Sequence, residues 1–215
     1  MDKILRVDMA KMSVKIEPVP EAWAAFGGRA LTSTVVATEV PPTCHPLGPS
    51  NKLVFAPGLL SGTAAACSGR LSVGSKSPLT GTIKECNVGG TAGRLLGNIG
   101  IKALIIEGVP SDDAWYNLHI DKDGVRISKE TEFLGLGNFA LVEAVENRCG
   151  GKRIGVIGIG PAGEMKMAAA NISVKDPDSH IRSAGRGGLG AVLGSKRIKF
   201  ISIDDTDAPR TGPMV

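Results

Sequence analysis

The stretch Gly93-Arg-Leu-Leu-Gly-Asn-Ile-Gly-Ile-Lys-Ala-Leu-Ile-Ile-Glu107 recurs 97 residues later as Gly190-Ala-Val-Leu-Gly-Ser-Lys-Arg-Ile-Lys-Phe-Ile-Ser-Ile-Asp204. Six of the fifteen aligned positions are identical, including the Ile-Lys step in the middle of each copy. Each copy predicts a glycine turn, a short helix and a strand. Because glycine and isoleucine are common residues, chance similarity is the alternative. We favour an internal duplication, which would give the domain two similar backbone cradles.

The segments around the repeat have the patterns of an α+β domain. Residues 3–17 alternate like a β-hairpin, and residues 21–40 predict a helix that is interrupted by Gly27-Gly28 and stopped by Pro41-Pro42. A second helix is predicted over residues 139–148, followed by a glycine pair typical of a helix end. Further strands are predicted at 53–56, 71–75, 101–107, 115–120, 124–128, 154–159 and 198–203.

The composition excludes several classes of protein. Hydrophobic residues make up 42% of the 215, which is enough to build a core and argues against a disordered chain. The net charge of +4 is small for this length, so we expect no nucleic-acid partner. The 29 glycines follow no G-X-Y period, which excludes collagen. Such a glycine-rich domain usually brings its backbone close to a phosphate or to another chain.

The four cysteines form no CxxC pair, so the sequence predicts neither a zinc site nor an iron–sulfur cluster within it. The three histidines form no i,i+4 pair and are not expected to bind metal. With no leader segment and no apolar run of about 18 residues, we expect a cytoplasmic protein with reduced thiols and no membrane partner.

Residues 158–163, Gly-Ile-Gly-Pro-Ala-Gly, follow a predicted strand and fit the dinucleotide-binding pattern G-x-G-x-x-G. That fold needs an acidic residue about 20 positions on, at the end of a strand. Here Asp176 and Asp178 lie in the turn-forming segment Lys-Asp-Pro-Asp-Ser. We therefore interpret the motif as a tight Gly-Pro turn.

Two other glycine motifs each carry an arginine. They are Ser68-Gly69-Arg70 and the segment 183–188, Ser-Ala-Gly-Arg-Gly-Gly. Arg182 and Arg186 flank Gly185, and two guanidinium groups in this arrangement can clamp phosphate oxygens. The alternative is that these arginines simply lie exposed on turns. From the residues alone we predict a duplicated α+β domain with an anion-binding face rich in arginine and glycine.

Seven segments make the sequence recognisable. They are Asn51-Lys-Leu-Val-Phe-Ala-Pro-Gly-Leu-Leu-Ser-Gly-Thr63, Ser68-Gly-Arg-Leu-Ser-Val73, Lys76-Ser-Pro-Leu-Thr-Gly81, Asn87-Val-Gly-Gly90, Lys102-Ala-Leu-Ile-Ile-Glu-Gly108, Ile157-Gly-Ile-Gly-Pro-Ala-Gly-Glu164 and Ala184-Gly-Arg-Gly-Gly-Leu-Gly-Ala-Val-Leu-Gly-Ser-Lys196. In this order they resemble the N-terminal domain of the tungsten-containing aldehyde ferredoxin oxidoreductase family. The resemblance covers nearly the whole chain, so we expect one tungstopterin-binding domain over residues 1–204 and a linker toward C-terminal domains over residues 205–215.

The resemblance implies a fold and a cofactor. The expected fold is α+β, with paired β-sheets, short helices and two intertwined pseudo-two-fold repeats. The expected cofactor is tungstopterin, a bis-molybdopterin that carries tungsten or molybdenum and is joined through Mg²⁺. In the family the pterin dithiolenes hold the metal, and the protein supplies contacts to the phosphates, the pterins and the magnesium.

Matched residue by residue, the resemblance also implies particular contacts. Arg70 corresponds to a pterin-phosphate contact and Gly89 to a pterin contact. Asn87 and Ser183 correspond to the residues whose main-chain carbonyl oxygens bind the magnesium. Many relatives have alanine in place of Ser183, a difference of little effect because the ligand is a backbone oxygen. The remaining implied cofactor contacts are Arg182, Gly185 and Arg186.

The resemblance implies an enzyme that oxidises aldehydes to carboxylic acids and passes electrons through a [4Fe–4S] cluster to ferredoxin. The family's CxxCxxxC cluster motif and its substrate-pocket residues lie on C-terminal domains, so the isolated domain is expected to be inactive. Expected partners are those domains and ferredoxin, and a homodimer is compatible with the family. The alternative is a non-catalytic binding or scaffold subunit that keeps the fold. A downstream CxxCxxxC would favour the enzyme, and a stop codon after Val215 would favour the subunit.

Overall fold

A computed structural model describes residues 2–149, 151 and 153–208. Its strands are β1 Lys3–Asp8, β2 Ser13–Pro18, β3 Leu53–Pro57, β4 Leu71–Lys76, β5 Ile83–Val88, β6 Ile101–Glu107, β7 Trp115–Asp121, β8 Gly124–Glu130, β9 Gly155–Gly158, β10 Ile172–Lys175, β11 Ile181–Ala184 and β12 Ile198–Ile203. Its α-helices are α1 Gly28–Glu39, α2 Ala92–Asn98, α3 Asn138–Cys149, α4 Pro161–Glu164 and α5 Leu189–Ser195.

The strands form two six-stranded sheets with the same topology. The first sheet has the order β2-β1-β6-β3-β4-β5, and the second, taken from its other edge, has the order β8-β7-β12-β9-β10-β11. In both sheets the first and last strands of the repeat pair in parallel, β1 with β6 and β7 with β12, and the other neighbours are antiparallel. Each strand of the first half therefore has a counterpart six strands later. The predicted duplication is confirmed at the level of topology.

The two repeats interlock in the middle of the domain. Helix α2 of the first repeat contacts β9 and β12 of the second sheet, and α5 of the second repeat contacts β3 and β4 of the first. Both helices contribute to one large core with side chains from both sheets, such as Phe55 and Ile201. Because each helix packs between its own sheet and the other, neither repeat can bury its apolar surface alone.

The outer face of each sheet carries a longer helix. Alternate strand residues point away from the central core, and α1 covers those of the first sheet, such as Val54 and Ile105. Helix α3 covers the corresponding face of the second sheet, including Val156 and Phe200. The predicted α+β fold of paired sheets with short helices is confirmed.

The shared Ile-Lys step has a structural explanation. Lys102 Nζ, in β6, donates to Ala24 O at 2.7 Å, in the connection that leads into α1. Lys199 Nζ, in β12, donates to Leu136 O at 2.9 Å, in the connection that leads into α3. Both buried ammonium groups are thus satisfied by carbonyl oxygens in equivalent connections, which is the usual condition for burying a lysine.

The predicted start of the first helix needs correction. The helix predicted over residues 21–40 begins only at Gly28, after a short 3₁₀ turn over Glu21–Trp23. Gly27 lies so close to the next loop that a Cβ there would be 2.8 Å from Leu59 N, and Gly28 has a φ of +52°. The glycine pair therefore marks a close backbone approach and the true start of the helix.

Strands β5, β10 and β11 were not predicted at all. Asn87 and Val88 end β5, and Ser183 and Ala184 end β11, so the segments 87–90 and 183–188 each begin on an edge strand. Residues 158–163 connect β9 to the four-residue helix α4, whose first residue is Pro161, so the predicted Gly-Pro turn is the start of a short helix. Because β9 is antiparallel to both its neighbours, β10 and β12, it does not belong to the parallel unit of a dinucleotide-binding fold.

Two further predictions concern the membrane and the C-terminal segment. The longest helices in the described part of the chain, α1 and α3, have 12 residues each, and none of the described helices could cross a bilayer. Of the predicted linker, residues 205–208 are described, and Asn98 Nδ2 donates to Asp205 Oδ2 at 2.6 Å. Residues 209–215 lie outside the described residues.

Candidate functional site

A cleft of about 720 Å³ opens where the edges of the two sheets meet. Strand β5 is the last strand of the first sheet, β11 is the last strand of the second, and the two strands contact each other. We call this opening the edge cleft. The residues that line it and matter below are Arg29, Glu85, Asn87, Ser183, Gly185 and Arg186. The structure therefore brings together four of the seven predicted site residues, Asn87 from the first repeat and Ser183, Gly185 and Arg186 from the second.

Arg70 and Gly89 are not among the residues that line the edge cleft, but both are connected to Asn87, which does line it. Arg70 is exposed, and its Nε donates to Asn87 Oδ1 at 2.5 Å. The Nδ2 of Asn87 in turn lies 3.3 Å from Ser72 Oγ. A Cβ built on Gly89 would be 3.7 Å from Arg70 Nη1. The predicted first-repeat residues thus form one group at the ends of β4 and β5.

The second repeat has a contact equivalent to the hydrogen bond between Arg70 and Asn87. In the sheet register Asn87 pairs with Ser72, and Ser183 pairs with Ser173. Asn171, which directly precedes β10, donates from Nδ2 to Ser183 Oγ at 2.9 Å. Ser183 is therefore the structural counterpart of Asn87, each being the penultimate residue of the edge strand in its repeat.

Gly89 and Gly185 are also counterparts, because each directly follows the edge strand of its repeat. Neither has a positive φ. A Cβ on Gly185 would meet only Ser183 Cβ, at 3.9 Å, and one on Gly89 only Arg70 Nη1. By contrast, a Cβ on Gly190 would lie 2.1 Å from Asn171 O. Packing explains Gly190, but nothing within the described protein requires glycine at 89 or 185.

Arg182 is not among the residues that line the edge cleft. Its side chain lies on the face of β11 opposite to that of Ser183, and its Nε and Nη2 lie 3.0 and 2.7 Å from Asp176 Oδ2. Burial favours the protonated form of Asp176, but hydrogen bonds from His180 N, Arg182 and Asp178 N outweigh it and lower the pKa of this carboxyl. Arg182 is thus held by a carboxylate of its own hairpin.

The edge cleft is cationic, with Arg29, Lys84 and Arg186 in its wall against the single carboxylate of Glu85. Arg29 Nε lies 3.0 Å from Glu85 Oε2, so this pair is partly neutralised. The Arg186 side chain is exposed, and in the described structure it has no side-chain hydrogen bond or ion pair. A positively charged opening with exposed guanidinium groups and open glycines suits an anionic ligand.

The loops after the edge strands are held by the opposite repeat. Thr91, after β5, donates from its N–H and its Oγ1 to Lys175 O of β10, at 2.9 and 3.0 Å. Ser77, after β4, donates from Oγ to Gly187 O at 2.6 Å. The geometry of the edge cleft therefore depends on both halves of the domain.

Sequence reasoning missed several residues of the cleft wall, namely Arg29, Ser33, Lys84, Glu85 and Cys86. All but the first two belong to β5, whose polar sequence Ile-Lys-Glu-Cys-Asn-Val has no alternating apolar pattern. The duplication does not reveal this strand either, because its counterpart β11, with the sequence Ile-Arg-Ser-Ala, is also absent from the predicted strands. Arg29 and Ser33 could have been found only from the corrected start of α1.

The fold and the edge cleft define a class: a duplicated two-sheet domain with a cationic opening between its halves. Residues 4–205 match the family model described as aldehyde ferredoxin oxidoreductase, N-terminal domain. The chain belongs to this family.

Several known proteins are similar to the chain. The tungsten-containing aldehyde ferredoxin oxidoreductase of Thermococcus kodakarensis is 36% identical over 204 residues, and that of Pyrococcus abyssi is 38% identical over 203. These alignments cover 94% of this chain and 33% and 32% of the relatives, so the chain spans about a third of their length. The aliphatic sulfonate oxidoreductase, WOR-like subunit, of Pyrococcus furiosus is 30% identical over 216 residues, covering 93% of this chain and 33% of that one.

A solved structure shows the same fold. It is the active site complex BamBC of benzoyl coenzyme A reductase in complex with 1,5-dienoyl-CoA, with a TM-score of 0.86 and 30% identity. The match covers 94% of this chain and 30% of that one. The expected family fold is therefore confirmed both by sequence and by structure.

Proposed function

We propose that this domain, residues 1–204, holds a bis-molybdopterin cofactor with tungsten or molybdenum at the edge cleft. The observation that carries the proposal is the pair Gly89 and Gly185. They are counterparts in the two repeats: Gly185 lines the cleft, and Gly89 follows β5, whose Asn87 lines it. Neither backbone conformation nor packing requires them to be glycine. A ligand that approaches the backbone closely at both positions does require it.

The arginines supply the phosphate contacts in this proposal. Arg70 and Arg186 are exposed beside the cleft, one from each repeat, and each can donate charge-assisted hydrogen bonds to a phosphate. Asn87 orients Arg70 by accepting from its Nε. For Arg182 we propose a secondary role, in which Asp176 fixes its guanidinium near the end of β11 while other N–H donors remain for the ligand.

We propose that the main-chain oxygens of Asn87 and Ser183 bind the Mg²⁺ that joins the two pterin phosphates. Their equivalence in the two sheet registers supports this role, because a cofactor with two similar halves needs two similar ligands. Magnesium takes hard oxygen ligands and usually retains several waters, so two carbonyl oxygens and two phosphates are a suitable set.

When bound, the metallopterin supplies the two-electron redox chemistry of the site. The residues of this chain position it: they bind its phosphates, fix the cation and leave its metal-bearing side to the rest of the enzyme. We propose that the complete enzyme is cytoplasmic, oxidises an aldehyde to a carboxylic acid, and passes electrons through a [4Fe–4S] cluster on its C-terminal domains to ferredoxin. Relatives that share this domain are named for different activities. We therefore propose that residues outside this domain select the substrate.

The test compares the 215-residue chain with the same chain joined to the C-terminal domains of the family, both purified from cells supplied with tungstate. The joined polypeptide should contain tungsten and reduce benzyl viologen with an aldehyde, and the shorter chain should not. Dye reduction by the shorter chain would contradict the proposal that the activity requires the C-terminal domains. A joined polypeptide that holds no tungsten would favour the scaffold alternative.

A further inference from the structure

Cys86 makes two hydrogen bonds to one residue of the opposite repeat. Its Sγ lies 2.9 Å from Arg186 O, to which the thiol donates, and 3.2 Å from Arg186 N, from which the sulfur accepts. The thiol is 6% exposed, among the apolar side chains of the central core. Neither the family resemblance nor the proposed cofactor contacts give this residue a role.

The two bonds join the edges of the two sheets. An edge strand leaves backbone N–H and C=O groups without a ladder partner, and β5 and β11 are both edge strands. Arg186 lies two residues beyond β11, where its own sheet offers no neighbour. A thiol can donate and accept at once, so Cys86 satisfies both backbone groups of Arg186 as a neighbouring strand would.

The contact fixes a position that the cofactor proposal depends on. Arg186 follows the open Gly185 and precedes Gly187, which has a φ of +79°, so neither neighbour has a side chain that could hold this part of the backbone. Ser77 holds Gly187 O, but among the described contacts only Cys86 holds the backbone of Arg186 itself. The loop after β5 in the first repeat is held instead by the N–H and Oγ1 of Thr91, which both donate to Lys175 O of the second repeat.

We propose that Cys86 is a positioning residue that fixes the main chain of Arg186 and thereby sets the distance between the two halves of the edge cleft. Its effect on cofactor binding rests on the proposed function, whereas its effect on the Arg186 backbone does not. The thiol acts through hydrogen bonds and not through a covalent step.

The test uses Cys86→Ala, Cys86→Ser and, as a matched control in the same loop, Ser77→Ala. Hydrogen exchange of the Arg186 amide should be about tenfold faster in Cys86→Ala, as expected for the loss of one buried hydrogen bond. Cys86→Ser should restore most of the protection, because a hydroxyl also donates and accepts. Ser77→Ala should leave the exchange rate of the Arg186 amide close to that of the wild type. Unchanged exchange in Cys86→Ala would overturn the proposal.

Two further readouts keep the test decisive. If Cys86→Ala does not fold, infrared spectroscopy of the wild type provides a second test. The S–H stretching band of Cys86 is identified by its disappearance in Cys86→Ser, and it should lie at lower wavenumber than the band of the exposed Cys67. A Cys86 band at the same wavenumber as that of Cys67 would overturn the proposal. In the complete enzyme, tungsten per chain should fall in Cys86→Ala and recover in Cys86→Ser. Faster exchange with unchanged tungsten would support the role of the thiol and contradict the role of Arg186 in cofactor binding.

Discussion

Arg70 Nε lies 2.5 Å from Asn87 Oδ1, and this bond joins the residue before one strand to the penultimate residue of the next. The second repeat places Asn171 and Ser183 in the same relationship, 2.9 Å apart. The side chains differ while the positions in the sheet register agree. The duplication has therefore kept a donor and an acceptor at the end of each edge strand, on both sides of the edge cleft.

The open glycines give the first prediction. Gly89→Ala and Gly185→Ala should fold with a free energy of unfolding within about 0.5 kcal/mol of wild type, as for surface substitutions, because an added Cβ meets no backbone atom. Both should lose bound cofactor, because the methyl group occupies the ligand's place. Urea denaturation and tungsten per chain in the complete enzyme measure the two effects.

Gly190→Ala is the matched control for these variants. Its Cβ would lie 2.1 Å from Asn171 O, inside the buried helix α5, so we expect a destabilisation of about 1–3 kcal/mol or more. If Gly89→Ala and Gly185→Ala instead behaved like Gly190→Ala, with lost stability and unchanged cofactor per folded chain, protein packing would explain the glycines and the ligand would not.

The second prediction concerns the exposed arginines. Arg70→Ala and Arg186→Ala should each weaken cofactor retention about ten- to a hundredfold, since a hydrogen bond from a charged group contributes about 1.5–3 kcal/mol. Stability should change by less than about 1 kcal/mol, because both side chains are exposed. Arg126→Ala is the control: Arg126 is 64% exposed and pairs with Asp121 in the β7–β8 hairpin, at the other edge of the second sheet. Equal tungsten content in all three variants would reject the phosphate contacts.

The third prediction concerns the duplicated lysines. Lys199 Nζ donates to Leu136 O and to Ile159 O, and it pairs with Glu164. Lys199→Met should therefore destabilise the protein by about 3–5 kcal/mol, as for a broken buried ion pair. Lys102→Met should cost about 1–3 kcal/mol, since it leaves mainly Ala24 O without a donor. Urea denaturation measures the free energy of unfolding of both variants. A larger loss of stability in Lys102→Met than in Lys199→Met would contradict these contacts as the source of the effect.

The fourth prediction is a pH dependence. Lys196 is fully buried and donates to Asn51 O at 2.7 Å and Gly48 O at 3.2 Å, and burial lowers its pKa from 10.5 to about 8. Between these two values the unfolded chain binds the proton that the folded chain has released. Stability relative to the Lys196→Met variant should therefore rise with pH from about 8 to 10, by at most about 1.4 kcal/mol per pH unit. A difference that stays constant over this range would show that Lys196 remains charged.

The sequence predicts the parts of the fold whose patterns are apolar. Strands such as β6 and β12 are fully or almost fully buried, so their continuous apolar sequences are recognisable, and their similarity reveals the duplication. Strands β5 and β11 lie at sheet edges beside the cleft and carry exposed polar residues, among them Asn87 and Arg182. Their strand conformation comes from pairing with β4 and β10, which a local pattern does not show.

The same distinction applies to the site. The glycine and arginine motifs could be found because each combines a charged donor with glycines that let the backbone approach a ligand, and four of the predicted residues do line one cleft. The ion pair of Arg182 with Asp176 and the bonds of Cys86 to Arg186 depend on strand register and on the meeting of two sheets. Arg182 and Asp176 are only six positions apart, but their pairing follows from the β10–β11 hairpin, which has no predictive pattern. Cys86 and Arg186 are 100 positions apart, and such a contact has no local signal in one sequence.

The most direct test of the edge cleft as the cofactor site is a crystal structure of the loaded enzyme, with anomalous data collected at the tungsten absorption edge. We predict one tungsten peak over the edge cleft and one six-coordinate cation bonded to the main-chain oxygens of both Asn87 and Ser183, with Arg70 and Arg186 on the phosphates. A cation that contacts neither oxygen, or a tungsten peak remote from the edge cleft, would contradict it.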